Sequence, residues 1–183
     1  MRALGSEIED VLLLLPEVHR DDRGWFAESH SDRSLQEIGI SVRFVQDNHS
    51  FSAKKGTLRG LHYQIYPYAQ AKLIRCTRGA IMDVVLDLRP ESATYGKWTK
   101  LMLSAENMRM LFVPRGLAHG FVTLKANTEV QYKVDDFYDK ECERSIRYDD
   151  PDLCIDWGAP IKHISEKDMS ADPYQDRCHD FEG

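Results

Sequence analysis

The stretch KLIRCTRGAIMDVVLDL, residues 72–88, decides the fold class. It contains two runs rich in β-branched and apolar residues, 72–77 and 80–88, which an Arg-Gly pair separates. Runs of the same kind, with Gly, Pro, Asn or Asp between them, occur at 11–15, 25–29, 42–48, 60–64, 98–104, 110–113, 120–124 and 129–134. Because so many closely spaced strands leave no room for crossover helices, the sequence predicts an all-β sandwich or barrel of antiparallel strands.

Helices have a minor place in this prediction. Residues 34–38 are expected to form one short helix, with Ser31 or Asp32 as its N-cap and Gly39 at its end. The stretch after Asp135 is acidic and rich in turn residues, so we expect irregular structure there, with a few short peripheral helices. A chain of 183 residues suffices for one core and is tight for two, so residues 1–183 are predicted to form a single domain.

Charge and hydropathy argue against two classes of partner. The formal net charge of −6 argues against a nucleic acid. An anionic small molecule is compatible with it, because a ligand responds to local charge and Arg23, Arg59 and Arg75 supply positive charge near the motifs below. No apolar run approaches the roughly 20 residues that span a bilayer, and the longest, 11–15, lacks the flanks of a signal peptide. The sequence therefore predicts a cytoplasmic protein without a membrane partner.

Three segments carry side chains that can do chemistry. In RGLHYQ, residues 59–64, a cation and an imidazole flank Gly60, which permits a close backbone approach. In QAKL, residues 70–73, Lys72 stands at the start of a strand, and PRGLAHGF, residues 114–121, holds a histidine between two glycines. Taken singly, a strand histidine is more often structural than catalytic, and such a lysine is more often a solvated edge residue.

Strand periodicity also places Gln46, Asn48 and Ser50 on one face of a strand. A polar face usually lies in solvent, but a small closed barrel with a ligand cavity can turn such a face inward. The sequence alone leaves both interpretations open, and solvent is the commoner case.

A metal site is not expected, although part of the sequence fits a fold family in which metals are common. Residues 114–121 fit the second half of the cupin barrel signature, Pro-x-Gly-x-x-His. Metal-binding cupins use His-x-His and a following Glu in the first motif, whereas this chain has His-Tyr-Gln at 62–64 and no Glu until Glu91. Two histidines are too few ligands for a transition metal. The four cysteines are far apart and are expected to be reduced thiols.

An ordered set of motifs makes the sequence resemble the dTDP-4-dehydrorhamnose 3,5-epimerase family, whose fold is a cupin-type jelly-roll β-barrel. One such motif would be a weak signal, but the ordered set covers nearly the whole chain. The matching stretches are DRGWFAE 22–28, QDNHS 46–50, LRGLHYQ 58–64, QAKL 70–73, DVVLDLR 83–89, TYGKW 94–98, LSAEN 103–107, PRGLAHGF 114–121, YK 132–133 and SEKD 165–168.

The resemblance implies an enzyme that inverts carbons 3 and 5 of dTDP-4-dehydro-6-deoxy-D-glucose without a cofactor. Both carbons lie beside the ketone, so their protons can be removed if the enolate is stabilised. By resemblance His62 is the general base, and Asp168 orients it. Lys72, with help from His119, stabilises the enolate oxygen, and Tyr132 returns a proton to the opposite face. Without the resemblance, a solvated acid is the preferred interpretation of Asp168, and a core aromatic is as good an interpretation of Tyr132 as a catalytic acid.

The same resemblance assigns the substrate-binding residues. Arg23 and Arg59 contact the diphosphate, and Phe26 and Tyr138 pack on thymine. Further polar contacts come from Glu28, Gln46, Asn48, His119 and Lys167. In the family the segment that holds Arg23, Phe26 and Glu28 crosses to the partner subunit, so a homodimer with shared sites is implied.

Three alternatives compete with the double epimerase. A 3-epimerase that inverts one carbon of a related dTDP-4-keto-6-deoxysugar would share nearly every residue named above. A non-catalytic cupin that binds a sugar nucleotide would not need His62, Lys72, Tyr132 and Asp168 as a set. A metal-dependent cupin oxygenase or isomerase would need ligands that this chain lacks.

Overall fold

The computed structural model describes residues 1–181, which form thirteen strands, two short α-helices and one turn of 3-10 helix at Tyr174–Asp176. The strands are, in chain order, β1 Arg2–Gly5, β2 Leu12–Leu15, β3 Val18–Asp21, β4 Gly24–Ala27, β5 Gln46–Ser52, β6 Leu58–Gln64, β7 Lys72–Arg78, β8 Ala80–Asp87, β9 Trp98–Ser104, β10 Met110–Val113, β11 Leu117–Thr123, β12 Thr128–Val134 and β13 Glu143–Ser145. The helices are α1 Asp32–Gln36 and α2 Glu166–Met169. In this described part of the chain, no helix is long and apolar enough to cross a membrane.

Two sheets carry eleven of these strands. The first sheet has the order β1-β2-β10-β7-β12-β5 and the second the order β13-β6-β11-β8-β9, while β3 and β4 form a separate hairpin. Neighbouring strands in all three sheets run antiparallel. The predicted all-β antiparallel class is therefore confirmed.

The two sheets face each other across a shared apolar core. The core side chains are Leu13, Ile74, Cys76, Leu111, Val113 and Val130 from the first sheet and Ile81, Val85, Leu103, Leu117 and Phe121 from the second. Burying such a side chain contributes roughly 1.5–3 kcal/mol, so this layer holds the sheets together.

Segments outside the sheets cover their outer faces. Leu35 of α1 packs in one cluster with Phe112 on the first sheet, and Trp157 packs in another with Leu61 on the second. The strand β8 is consequently buried on both faces. This explains why residues 80–88 form an apolar run with little alternation.

Each of the ten predicted runs overlaps a strand, and the boundaries differ most at β5. That strand begins at Gln46 rather than at residue 42, because Val42 and Phe44 pack into the cluster that holds α1 instead of pairing. Three strands were not predicted, β1, β3 and β13, since their sequences RALG, VHRD and ERS contain no apolar run. The helix α1 begins two residues earlier than predicted, with Ser31 as its N-cap.

Candidate active site

A cavity of about 500 Å³, which we call the central cavity, opens between the two sheets. Its lining includes Ser50, Leu58, Arg59, His62, Lys72, His119, Phe121, Tyr132, His163, Lys167 and Asp168. A side cavity of about 170 Å³ shares His62, Lys72 and Tyr132 with it and is also lined by Gln46, Asn48, Gln64, Gln70, Tyr138 and Glu143. Ten of the thirteen predicted site residues lie in these two cavities, which therefore form the candidate site.

The polar face of β5 points inward. Gln46, Asn48 and Ser50 are partly buried and alternate with exposed residues, and the Gln46 Nε2 donates to Asn48 Oδ1 at 3.0 Å. These side chains line the two cavities. Of the two interpretations left open by the sequence, the commoner one, a solvated face, is wrong for this strand.

The centre of the site lies where β6 and β11 pair. His62 and His119 stand opposite each other in this pairing, and both line the central cavity. The strands come unusually close beside them: a Cβ added to Gly60 would lie 2.5 Å from the Gly120 Cα. Only glycine permits this approach, as the sequence predicted, and it brings the two imidazoles onto one wall.

His62 has a carboxylate partner. Its Nε2 lies 2.5 Å from Asp168 Oδ1, and the Asp168 backbone N–H donates to Ser165 Oγ at the start of α2. Asp168 is only 3% exposed; burial works to raise the pKa of this carboxyl, but the bond to His62 lowers it overall. The helix start therefore presents an ionised carboxylate to the imidazole, which can hold one tautomer and stabilise the protonated ring.

Lys72 is buried, so it is not the solvated edge lysine that its sequence position suggested. It is 7% exposed, and its Nζ donates to the His62 carbonyl oxygen at 3.0 Å. Burial lowers the pKa of Lys72 to about 8, although Asp83 and Glu143 oppose the shift. A cation thus lies in a site with little water, where it can act strongly on a nearby negative charge.

Tyr132 reaches the same space from the other sheet. It lies on β12 of the first sheet, whereas His62 lies on β6 of the second, and both line the central cavity. Burial raises the pKa of Tyr132, and Arg59 opposes the shift. The phenol is therefore protonated at neutral pH and can donate a proton.

His119 is bonded to a carboxylate that sequence reasoning missed. Its Nε2 lies 2.9 Å from Asp83 Oδ2, and Asp83 on β8 is fully buried. Burial raises the pKa of Asp83, and His119 opposes the shift. The available signal was an acid in the middle of the apolar run 80–88, in a motif that supported the resemblance but was given no role.

Glu143 in the side cavity was also missed. It accepts a hydrogen bond from Tyr138 Oη at 3.0 Å and pairs with Lys167 Nζ at 2.6 Å. Burial works to raise the pKa of Glu143, but the bonds from Lys167 and Tyr138 lower it overall. Its position in an acidic stretch without periodicity gave no signal beyond its charge.

Where metal-binding cupins have a metal ligand, this chain has Gln64, whose amide forms hydrogen bonds to the backbone. Gln64 is buried; its Nε2 donates to the carbonyl oxygens of Tyr68 and Phe137, and its Oε1 accepts from the Asp139 N–H. Residues 1–181 contain no group of three or more His, Cys, Asp or Glu side chains placed to hold a metal ion. Operation without a metal or other cofactor stays a prediction.

Three predicted substrate-binding residues lie outside both cavities. Arg23 is 90% exposed in its side chain and pairs with Asp21 on the β3–β4 hairpin, and Phe26 on the same hairpin is 69% exposed. Glu28 accepts a hydrogen bond from Ser34 Oγ. A single chain therefore does not bring these three residues to His62.

Comparison with known proteins identifies the family. A family model described as dTDP-4-dehydrorhamnose 3,5-epimerase matches residues 5–176. The dTDP-4-dehydrorhamnose 3,5-epimerase of Pseudomonas aeruginosa is 49% identical over 180 residues, which cover 96% of this chain and 97% of that protein.

Solved structures agree with this result. The dTDP-6-deoxy-D-glucose-3,5-epimerase of Legionella pneumophila, in complex with dTDP-4-keto-L-rhamnose, is 41% identical with a TM-score of 0.89, covering 95% of this chain and 93% of that one. A 3'-monoepimerase from Streptomyces bikiniensis, in complex with dTDP-quinovose, is 33% identical with a TM-score of 0.86, covering 93% and 86%. The fold is thus cupin-type, and the chain belongs to the dTDP-4-dehydrorhamnose 3,5-epimerase family.

Proposed function

We propose that this epimerase converts dTDP-4-dehydro-6-deoxy-D-glucose into dTDP-4-dehydro-L-rhamnose by inverting carbons 3 and 5. The observation that carries the proposal is one cavity lined by His62 of one sheet, with its partner Asp168 of α2, and by Tyr132 of the other sheet. The identities of 49% and 41% to the Pseudomonas aeruginosa and Legionella pneumophila 3,5-epimerases, against 33% to the 3'-monoepimerase, support the double inversion.

The first step is removal of a proton next to the ketone. Neutral His62 takes the proton from carbon 3 or carbon 5, and the C–H electron pair moves into an enolate with its negative charge on the oxygen of carbon 4. The Asp168 carboxylate, 2.5 Å from the ring, stabilises the imidazolium that forms.

The second requirement is a positive environment for the enolate oxygen. The Lys72 ammonium is fixed by its bond to the His62 carbonyl, so it need not reorganise as the charge develops. His119 on the same wall adds a second polar group.

The third step is reprotonation from the other face. Tyr132 donates its phenol proton to the carbanion carbon, and the electron pair of the enolate forms the new C–H bond. The tyrosinate then takes a proton from solvent and the His62 imidazolium loses one to solvent, which restores both groups. Because Tyr132 and His62 project from opposed sheets, a sugar ring between them can present one face to each. The same cycle at the second carbon completes the double inversion.

The nucleotide-binding part of the proposal extends across two subunits. Arg59 lines the central cavity, and its guanidinium is a candidate for the diphosphate. Arg23, Phe26 and Glu28 would join the site of a partner chain in a homodimer, which accounts for their distance from His62. Cytoplasmic location stays a prediction.

The experiment that tests this proposal is NMR of the 4-keto sugar nucleotide incubated with the protein in heavy water. Deuterium at both carbons 3 and 5, together with the L-rhamno product, supports the double epimerase. Deuterium and inversion at carbon 3 alone would identify a 3-epimerase, and no exchange at either carbon would indicate a non-catalytic binding protein.

A further inference from the structure

The buried carboxylate of Asp83 has an oxygen that no protein group satisfies. Its Oδ2 is bonded to His119 Nε2, whereas its Oδ1 is one of two buried side-chain polar atoms in residues 1–181 without a hydrogen-bond partner. Leaving such an oxygen buried without a partner is unfavourable, so a reason for keeping an acid here is needed. Asp83 does not itself line either cavity, and any effect on the reaction must pass through its neighbours.

Lys72 supplies that reason. Its hydrogen bond goes to a neutral acceptor, the His62 carbonyl, so this bond does not compensate the charge of a buried ammonium. Asp83 and Glu143 are the carboxylates that act on it. Glu143 is already bonded to Lys167 and Tyr138, whereas Asp83 has spare capacity in its free oxygen.

We propose that Asp83 is a positioning residue, which keeps Lys72 as an ammonium ion and holds His119 through Nε2 while the enolate forms. An ionised Asp83 also fixes the ring proton of His119 on Nε2. This inference rests on the proposed function, since it assigns a role in the same reaction. The charged and titratable groups around Lys72 are Arg59, His62, Tyr63, Asp83, His119, Tyr132, Tyr138, Glu143, His163, Lys167 and Asp168.

The test compares the pH profile of kcat for the wild-type protein, Asp83→Asn and a matched control, Asp87→Asn. Asp87 lies on the same strand four residues away and is fully buried, but its carboxylate is bonded to Arg89, Ser92 and Thr94 outside the cavities. If Asp83 had only a structural role, Asp83→Asn and Asp87→Asn would change the pH profile of kcat in the same way.

We expect Asp83→Asn to lower kcat at least about tenfold with little change in KM, because an interaction made in the transition state is weakened. We also expect the loss of activity at alkaline pH to begin roughly one pH unit lower, the size typical of losing a nearby opposite charge. Asp87→Asn should lower Tm without moving the profile.

Two results would overturn the proposal. One is an Asp83→Asn protein, folded by its thermal transition, whose alkaline limb matches that of the wild type. The other comes from the wild-type protein, labelled with ¹³C at the aspartate carboxyl carbon. The proposal requires Asp83 to be ionised from about pH 6 to about pH 9. A neutral Asp83 carboxyl in that pH range would exclude the role. Failure of the proposed function is distinguishable, because the wild-type protein itself would then not exchange deuterium.

Discussion

His62 and His119 lie opposite each other on β6 and β11, and each is bonded to its own buried aspartate. The two pairs differ in their access to the cavity. The His62 side chain is partly exposed, whereas the His119–Asp83 pair is buried. This difference suits His62 to exchange protons with a substrate and His119 to provide a fixed polar contact.

The carboxylate partner of His62 is expected to matter for turnover more than for binding. Asp168→Asn should lower kcat at least about 100-fold with little change in KM, because the neutral asparagine amide cannot stabilise the imidazolium as the carboxylate does. Steady-state kinetics on the 4-keto sugar nucleotide measures this. The control is Asp172→Asn, since Asp172 pairs with Arg177 outside the cavities. A kcat for Asp168→Asn equal to that of the control would exclude the pair from the chemistry.

The charge of Lys72 predicts a pH dependence. Its pKa of about 8 means that the ammonium is present below that pH and is lost as the pH rises through it. We therefore expect kcat to fall above about pH 8 in the wild type. Lys72→Arg keeps its charge, so this fall should disappear even though the altered geometry lowers kcat. An unchanged alkaline limb in Lys72→Arg would assign the titration to another group.

Replacing Gln64 tests whether its amide is structural. Gln64→Glu removes the two N–H bonds to the Tyr68 and Phe137 carbonyls and should lower the free energy of unfolding by about 1–3 kcal/mol per unsatisfied group. Gln70→Glu is the control, because Gln70 is less buried and its amide makes one such bond, to Asp136. Equal losses in urea unfolding of the two variants would contradict the account.

The homodimer proposal predicts complementation between two inactive variants. If Arg23 enters the partner's site, subunit exchange between Arg23→Ala and His62→Ala yields a mixed dimer with one intact composite site, and activity should return. Mixing Asp168→Asn with His62→Ala is the control, since both residues belong to the same chain's part of the site. No recovery after demonstrated exchange would mean that each chain builds its own site.

Much of this site could be predicted because motif residues occupy regular strands. His62, Lys72 and Tyr132 each lie on a strand that the sequence indicated, so their convergence follows from the sheet order. Asp83 and Glu143 were missed for a different reason. What distinguishes them is a tertiary contact, to His119 and to Lys167 respectively, and no local pattern encodes it.

The inward face of β5 shows a second feature that depends on tertiary structure and that the sequence pattern alone does not give. Alternation placed Gln46 and Asn48 together correctly, but periodicity cannot say which face of a strand meets solvent. That choice depends on the second sheet, which closes the cavity over them. Residues 42–45 were predicted as strand because Val42 and Phe44 are apolar, yet these two side chains pack against the cluster that holds α1 and lie outside the strand.

The most direct test of the assigned roles is deuterium exchange in heavy water by Tyr132→Phe compared with His62→Ala. Phe occupies the same space as Tyr, so Tyr132→Phe should fold normally and its His62 can still remove protons. We predict that Tyr132→Phe incorporates deuterium with retained configuration, or far faster than it inverts, while His62→Ala exchanges neither carbon. Inversion of both carbons by Tyr132→Phe at the wild-type rate, or exchange by His62→Ala, would contradict the account.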